Sequence, residues 1–344
     1  MTHAVFSPGA VLVTGGAGFI GSNFVHHVLS QAGDTRVVVL DCLTYAGNLE
    51  NLADVAGDPR YAFERVDICD TEAVLDVCRR HEVDALVNFA AESHVDRSIT
   101  GPGVFVKTNV EGTLSLLQVA RACDDMRFVQ VGTDEVYGSL GPAGAFSEQT
   151  PLDPHSPYSA SKAAADHLVA AFAHTYGLPA LVTRCSNNYG PWQFPEKMIP
   201  LMINNARHGR PLPVYGDGLQ VRDWLHVRDH CSALWTVLTC GEPGRVYNIG
   251  GNSERTNLAV VREILKRLDR SEKLITFVKD RPGHDRRYAI DASRIRTELG
   301  WSPATAFEEG LAETIEWYLG HQTWLDRIVS GAYQAYYEEM YAGR

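Results

Sequence analysis

The stretch Val11-Leu12-Val13-Thr14-Gly15-Gly16-Ala17-Gly18-Phe19-Ile20-Gly21 reads as a strand, a tight turn and the start of a helix. Its short apolar run, rich in β-branched residues, has the pattern of a buried parallel strand. Gly15, Gly18 and Gly21 then let the backbone turn sharply and approach a ligand closely. The helix that follows aims its unpaired N–H groups and the positive end of its dipole at the turn, a place suited to a pyrophosphate. The GxxGxxG spacing departs from the GxGxxG dinucleotide fingerprint but keeps its logic of turn, close approach and helix packing. By itself it also fits a glycine-rich βα turn without a ligand, so the next strand decides.

That strand, Val37-Val38-Val39-Leu40, ends in Asp41, 20 positions after Gly21. A carboxylate there accepts hydrogen bonds from both hydroxyls of an adenosine ribose and repels a 2′-phosphate, which selects NAD over NADP. Further strands are expected over 62–66, 85–89, 128–131, 180–183 and 246–249, with helices over 72–81, 109–123, 159–176 and 260–268. Strict alternation implies an α/β fold with a doubly wound parallel sheet of the Rossmann type. Asp67-Ile68, just past the third strand, either holds the adenine amino group and ring or is a plain turn. Ala90 and Ala91 are small enough to let a ligand pass over the carboxyl ends of the sheet, and His94 is either a substrate contact or an ordinary loop histidine.

Beyond Tyr189 the alternation lapses. Pro191, Pro195, Pro200, Pro211 and Pro213, interspersed with Trp192, Phe194 and Tyr215, predict an irregular lid over the sheet's carboxyl edge. The expected division is a nucleotide-binding domain over 1–190, to which 221–250 returns, and a smaller C-terminal substrate-binding domain built mainly from 191–220 and 251–344. The final stretch carries Tyr333, Tyr336, Tyr337 and Tyr341 and suggests packing or a subunit contact.

With 344 residues, 45% of them hydrophobic, the chain has room for a large α/β domain and a smaller companion. A formal charge of -11 argues against broad attraction to nucleic acid or an anionic membrane, so a phosphate-bearing small molecule must be met by a local group of cations. The seven cysteines are scattered without a CxxC pair, which implies reduced thiols and no metal site. The first ten residues lack a secretory pattern and no apolar run reaches membrane-spanning length, so a soluble cytoplasmic protein is expected.

Two clusters carry chemistry. Tyr158 and Lys162 are four apart and share one helix face. A nearby ammonium and a positive nicotinamide are expected to lower the phenol's pKa and make Tyr158 a base near neutral pH. Thr133-Asp134-Glu135 ends a strand with a hydroxyl and two adjacent carboxylates. Two acids suggest two proton tasks, one carboxyl held protonated to donate to a leaving hydroxyl and its ionised neighbour removing a proton beside a carbonyl. The plain alternative is a solvated acidic turn.

Taken together these segments resemble the extended short-chain dehydrogenase/reductases and, within them, the dTDP-glucose 4,6-dehydratase family. The glycine turn and Tyr158 to Lys162 are general to the superfamily. The narrower likeness rests on Leu43-Thr44-Tyr45-Ala46-Gly47-Asn48, Ala90 to Ile99, Thr133 to Gly138, Arg184 to Pro191 and Arg281 to Tyr288. Cys42 is a departure, standing where many members carry Lys after the strand-end Asp.

The resemblance implies that Tyr158 takes the proton of the carbon 4 hydroxyl as a hydride leaves for NAD. Thr133 bonds that oxygen, and Lys162 tunes the phenol and holds the nicotinamide ribose. Glu135 removes the carbon 5 proton while Asp134 protonates the carbon 6 hydroxyl, and hydride return to carbon 6 restores the cofactor. Further cofactor contacts fall on Gly15, Gly18, Phe19, Ile20, Gly21, Asp41, Cys42, Leu43, Thr44, Asp67, Ile68, Ala90, Ala91, Ser93 and Thr108, with Asn188 at the nicotinamide. Arg222, Arg281, Lys197 and Asn187 are matched to the diphosphate. His94, Met198, Leu201, Pro213, Tyr215, Asn257 and His284 enclose the nucleotide and sugar.

The family also pairs the helices over 109–123 and 159–176 across a two-fold axis, which implies a homodimer through a four-helix bundle; Val110, Leu114, Leu117, Leu168, Ala171 and Phe172 form apolar stripes there. An epimerase has no use for a second acid and base beside the sugar. Other nucleotide-sugar dehydratases remain the nearest alternative. A catalytically silent NAD-binding sensor would be expected to lose Tyr158 or Lys162, and both are present.

Overall fold

The computed structural model describes residues 5–31, 33–123 and 126–329; the tyrosines at 333, 336, 337 and 341 lie outside the described residues. Strand β1 (Ala10–Thr14) is buried along its whole length, sending Val11 and Val13 into one core and Leu12 into another. Helix α1 (Phe19–Gln31) follows, and β2 (Arg36–Leu40) repeats the division with Val37 and Val39 against Val38 and Leu40. Because both faces of each strand are covered, the sequence shows continuous apolar runs rather than apolar-polar alternation.

The alternation continues through β3 (Tyr61–Glu64), α2 (Thr71–Arg80), β4 (Ala85–Asn88), the short α3 (Val95–Thr100) and α4 (Pro102–Phe105), α5 (Gly112–Ala122), β5 (Arg127–Thr133), α6 (Pro157–Tyr176) and β6 (Ala180–Cys185). Then come β7 (Asn187–Tyr189), α7 (Met198–Arg207), β8 (Leu212–Tyr215), β9 (Val221–His226), α8 (Val227–Cys240) and β10 (Val246–Ile249). The remainder is β11 (Glu254–Thr256), α9 (Asn257–Arg267), β12 (Ile275–Val278), α10 (Ser293–Leu299), α11 (Phe307–Gly320) and α12 (Gln322–Ile328).

Seven strands form one parallel sheet in the order β10-β6-β5-β4-β1-β2-β3. Helices α1, α8 and α10 supply one core, and α2, α5 and α6 the other. The strand order reverses between β1 and β4, where a crevice opens at the carboxyl ends of the strands. A third core, built from α7, α9, α11 and α12, belongs to a smaller lobe with a β11-β9-β7 sheet and a β12-β8 pair.

Three expectations change. Residues 191–220 are not an irregular lid: α7 is a regular helix with eight of its ten residues buried, and Pro200 is tolerated because it sits in the first turn, where no intrahelical N–H is required. The stretch 221–250 is split, since α8 and β10 join the large core and sheet whereas β9 pairs with β7 and β11. The helix over 109–123 is two pieces, a π turn at Val106–Glu111 running into α5. That bulge turns Asn109 inward, where its amide exchanges bonds with the backbone of Glu92 and donates to Ser161 Oγ at 2.8 Å.

Of the predicted apolar stripes only Leu117 is fully buried. Val110, Leu114, Leu168 and Phe172 are half-buried and Ala171 is exposed. All seven cysteines are free thiols, with Cys78, Cys185 and Cys231 buried. Among the described residues no helix is long and apolar enough to cross a membrane, and no cluster of three metal-ligating side chains occurs.

Candidate active site

The glycine turn is built by exclusion. Gly15 adopts φ 65°, and a Cβ there would lie 2.6 Å from the amide nitrogen of Ala90, so only glycine lets the turn after β1 meet the end of β4. A Cβ on Gly21 would strike the Gly15 carbonyl, so the first turn of α1 packs directly on the loop. Asp41 is anchored beside it, accepting from the N–H groups of Ala17 (3.1 Å) and Leu43 (2.8 Å). Burial raises its carboxyl pKa while those two bonds lower it, and each oxygen keeps a further acceptor position.

A cleft of about 450 Å³ runs from this turn along the carboxyl edge of the sheet. One end is formed by Asp41, Cys42, Thr44, Asp67 and Ile68, the middle by Gly18, Phe19, Ile20, Ala90, Ala91, Ser93 and Thr108, and the other end by Thr133, Tyr158, Lys162 and Asn188. Leu43, expected here as well, packs instead against the core beside α1. A second cavity of about 190 Å³ is lined by His94, Met198, Leu201, Pro213, Tyr215, Arg222, Asn257, Arg281 and His284. The two share Ser93, Glu135, Asn187, Glu196 and Lys197.

Helix α6 begins at a capping box: the Ser156 hydroxyl accepts from Ser159 N–H and the Ser159 hydroxyl accepts from Ser156 N–H, each at 3.0 Å, with Pro157 in the first turn. This fixes Tyr158 in the first turn, where Ser161 Oγ donates to its carbonyl. One turn on, Lys162 Nζ donates to the Val131 carbonyl at 2.8 Å. The phenol of Tyr158 is not lowered in the protein alone. Burial and the Glu135 charge push its pKa well up, outweighing a hydrogen bond with Thr133, and burial lowers that of Lys162. The expected phenolate therefore requires a further positive charge beside the ring.

The acid pair is no solvated turn. Thr133 caps the 3-10 turn Asp134–Tyr137, accepting from Glu135 N–H at 3.3 Å, and Asp134 is 2% exposed with no partner for Oδ2. Burial, Glu135 and Asp223 raise the Asp134 pKa well above the usual carboxyl range, against Arg222 and the backbone N–H of Asp134 itself. Glu135 is raised by burial but drawn down by Arg281, Arg222 and Lys197.

Those cations are held by backbone, aromatic and carboxylate groups. Arg222 donates to the carbonyls of Val221 (2.8 Å) and Asp285 (3.0 Å) and lies 4.3 Å from the Tyr288 ring centroid. Lys197 Nζ donates to the Ser93 carbonyl at 2.9 Å. Arg281 lies 3.8 Å from Asp96, whose other oxygen accepts from Tyr215 Oη at 3.2 Å. His94 and His284 are neutral imidazoles, since burial drives the first well below its ordinary value and the second to about 4. His94 thus belongs to the cavity wall.

Asp96, Glu196 and Gln193 were not singled out as site residues from sequence. Glu196, with a side chain 2% exposed, pairs with Arg97 at 3.2 Å where the two cavities meet. Its signal was an acid beside Lys197 in a proline- and aromatic-rich stretch; Gln193 carried none.

A family model described as GDP-mannose 4,6 dehydratase matches residues 12–314. The dTDP-glucose 4,6-dehydratase of Xanthomonas campestris pv. campestris (strain B100) is 57% identical over 341 residues, covering 94% of this chain and 97% of that protein. The structure of DesIV, a dTDP-glucose 4,6-dehydratase from Streptomyces venezuelae with NAD and TYD bound, superposes with a TM-score of 0.90 at 49% identity, covering 93% of this chain and 99% of that one. The UDP-glucose 4-epimerase of Thermotoga maritima with UDP-glucose is more distant, with 28% identity, a TM-score of 0.85 and coverage of 91% and 99%.

Proposed function

This chain belongs to the dTDP-glucose 4,6-dehydratase family of extended short-chain dehydrogenase/reductases, and from that premise we propose that it converts dTDP-glucose to dTDP-4-keto-6-deoxyglucose and water with NAD as its resident cofactor. It is an NAD-dependent hydro-lyase. The residues present fit the cofactor: Gly15 seats the turn directly on Ala90 beside the cleft, α1 points its N-terminus at that turn where a pyrophosphate would lie, and Asp41 stands at the ribose position. Asp67 and Ile68 wall the adenine end, and Tyr158 and Lys162 the nicotinamide end.

When bound, NAD supplies a reversible two-electron acceptor, taking a hydride from carbon 4 and returning it at carbon 6. The chain moves the protons. Tyr158 accepts the proton of the carbon 4 hydroxyl while Thr133 holds that oxygen. The resulting ketone acidifies carbon 5, where Glu135 removes the proton; Asp134 protonates the carbon 6 hydroxyl so that it leaves as water, and Glu135 later returns a proton to carbon 5. Arg222, Arg281, Lys197 and Asn187 face the diphosphate, with Arg suited to bidentate contacts.

The observation that carries the reading is the environment of the acid pair. Burial, with one cation opposing it, favours the protonated form at Asp134, while three cations favour ionisation at its neighbour, and Glu135 stands where the two cavities meet. An epimerase built on this fold would have no task for that pair. Incubation with dTDP-glucose in deuterated water, without added reductant, is expected to release water and place deuterium at carbon 5. An unchanged sugar, or epimerised glucose, would overturn the reading.

The proposal includes a division of labour, with residues 1–190 serving mainly the cofactor, 227–250 completing the large sheet and its core, and 191–226 and 251–344 serving mainly the nucleotide sugar. It also includes a cytoplasmic location, in keeping with seven free thiols. A homodimer through α5 and α6 would cover Val104 and Val106, which are 49% and 50% exposed, together with Leu114, Leu168 and Phe172. A monomeric mass at micromolar concentration would refute the dimer.

A further inference from the structure

We infer that Gln193, beside Asn188, is the side chain that accepts a hydrogen bond from the carboxamide N–H2 of the bound nicotinamide. The inference rests on the reading that the larger cleft holds NAD, and it begins with what Asn188 is already doing. Asn188 Nδ2 donates to the Ser186 carbonyl at 3.0 Å. Its Oδ1 lies 2.9 Å from His230 Nδ1, and since an amide oxygen only accepts, that ring nitrogen carries the proton. One N–H of the Asn188 amide and one acceptor position of its oxygen are engaged within the protein, which leaves it a second N–H to donate, and its backbone carbonyl in turn accepts from Gln193 Nε2 at 2.9 Å.

That last bond orients Gln193 without ambiguity. A carbonyl requires a donor, so the nitrogen end faces Asn188 and the oxygen end is the one left over. Gln193 Oε1 is buried with no hydrogen-bond partner, on a residue that lines the dinucleotide cleft and is 8% exposed. A buried acceptor without a donor is costly, and a ligand that enters the cleft can supply the donor.

The backbone is arranged to hold it there. Trp192 takes φ 62°, an unfavourable conformation for a bulky residue, and its ring is stacked 4.9 Å from His26 and set edge-on 5.3 Å from Trp317. The next carbonyl, that of Gln193, accepts from Tyr318 Oη at 2.6 Å. Packing from α1 and α11 therefore pins residues 192 and 193 from behind.

Position along the cleft selects the ligand group. Asn188 lies three residues after Cys185, whose register partner in the sheet is Thr133 at the catalytic end. The adenine amino group belongs at the opposite end, beside Asp67 and Ile68. At the catalytic end the amide donor that NAD offers is the carboxamide N–H2, and an acceptor fixed on it sets which face of the ring meets the sugar.

The test measures equilibrium binding to the full chain freed of cofactor, using NAD and acetylpyridine adenine dinucleotide, in which a methyl ketone replaces the carboxamide and no N–H remains. Wild type is expected to prefer NAD. Gln193→Leu is expected to lose about tenfold toward NAD and nothing toward the analogue. Unchanged NAD binding in Gln193→Leu, or an equal loss toward both compounds, would overturn the inference while leaving the cofactor reading intact. A wild-type chain that binds neither compound would overturn both.

Discussion

Asp134 and Glu135 are adjacent in sequence, yet three cations, Arg281, Arg222 and Lys197, draw Glu135 toward ionisation while Arg222 alone does so for Asp134, which also meets the charge of Asp223. Both carboxyls are raised by burial, Asp134 well above its ordinary value. The rate of elimination is therefore expected to rise with pH as Glu135 ionises and to fall at higher pH as Asp134 gives up its proton. Glu135→Gln is expected to abolish the acid limb and deuterium exchange at carbon 5, lowering kcat by about 10²–10⁴. Asp134→Asn is expected to abolish the alkaline limb while exchange at carbon 5 persists. Exchange that survives in Glu135→Gln would reverse the assignment.

Behind the site, Arg184 Nε meets Asp166 Oδ2 at 2.8 Å with both side chains buried, and the same guanidinium donates to Tyr137 Oη, which donates to Asn248 Oδ1. Asp166 follows Lys162 by one turn of α6, so the pair ties α6 to β6. Asp166→Ala strands a buried guanidinium and is expected to cost about 3–5 kcal/mol of stability. A denaturant titration should show a lower midpoint at unchanged slope. A loss within the range of a surface pair would mean that the charge is not confined.

The substrate segment is fastened by a titratable contact. His155 Nδ1 lies 2.7 Å from Asp285 Oδ1, and Asp153 is 3.4 Å from Nε2. The Asp285 bond raises the His155 pKa most; desolvation opposes it, and the charge of Asp285 and the Asp153 carboxylate add to the rise. A raised folded-state value means the tie is fully present below about pH 6.5 and is lost as pH climbs through the higher value. His94 and His284, whose pKa values are lowered, are already neutral in that window. The KM for dTDP-glucose is expected to rise across it in wild type and to be high and flat in His155→Ala. Parallel profiles for the two proteins would remove His155 as the cause.

What sequence could reveal about this molecule was whatever is enforced locally. Gly15 and Asp41 were legible because a backbone turn and a strand end admit few residue types, and the sheet because each strand is apolar on both faces. The buried helix α7 was hidden by prolines that mark an irregular segment unless one knows that Pro200 falls in its first turn. The π turn before α5 leaves no periodicity to read. Asp96 and Gln193 gain their meaning from partners about 100 or more residues away, Tyr215 and Arg281 for the first and Tyr318 for the second, and no short-range pattern encodes such approaches.

The same limit explains the state of Tyr158, where the spacing to Lys162 suggested a lowered pKa. Lys162 donates to the Val131 carbonyl at 2.8 Å, and burial with the nearby Glu135 charge leaves the phenol well above its ordinary value. A cation placed against the ring favours phenolate, and the oxidised nicotinamide is such a cation. The phenolate signal of Tyr158, isolated as the difference in ultraviolet titration between wild type and Tyr158→Phe, is expected at lower pH in the NAD-loaded chain than in the stripped one. Tyr158→Phe is further expected to lower kcat by about 10²–10⁴. If loading with NAD leaves the titration where it was, the cofactor does not activate the phenol, and the carbon 4 proton must leave by another route.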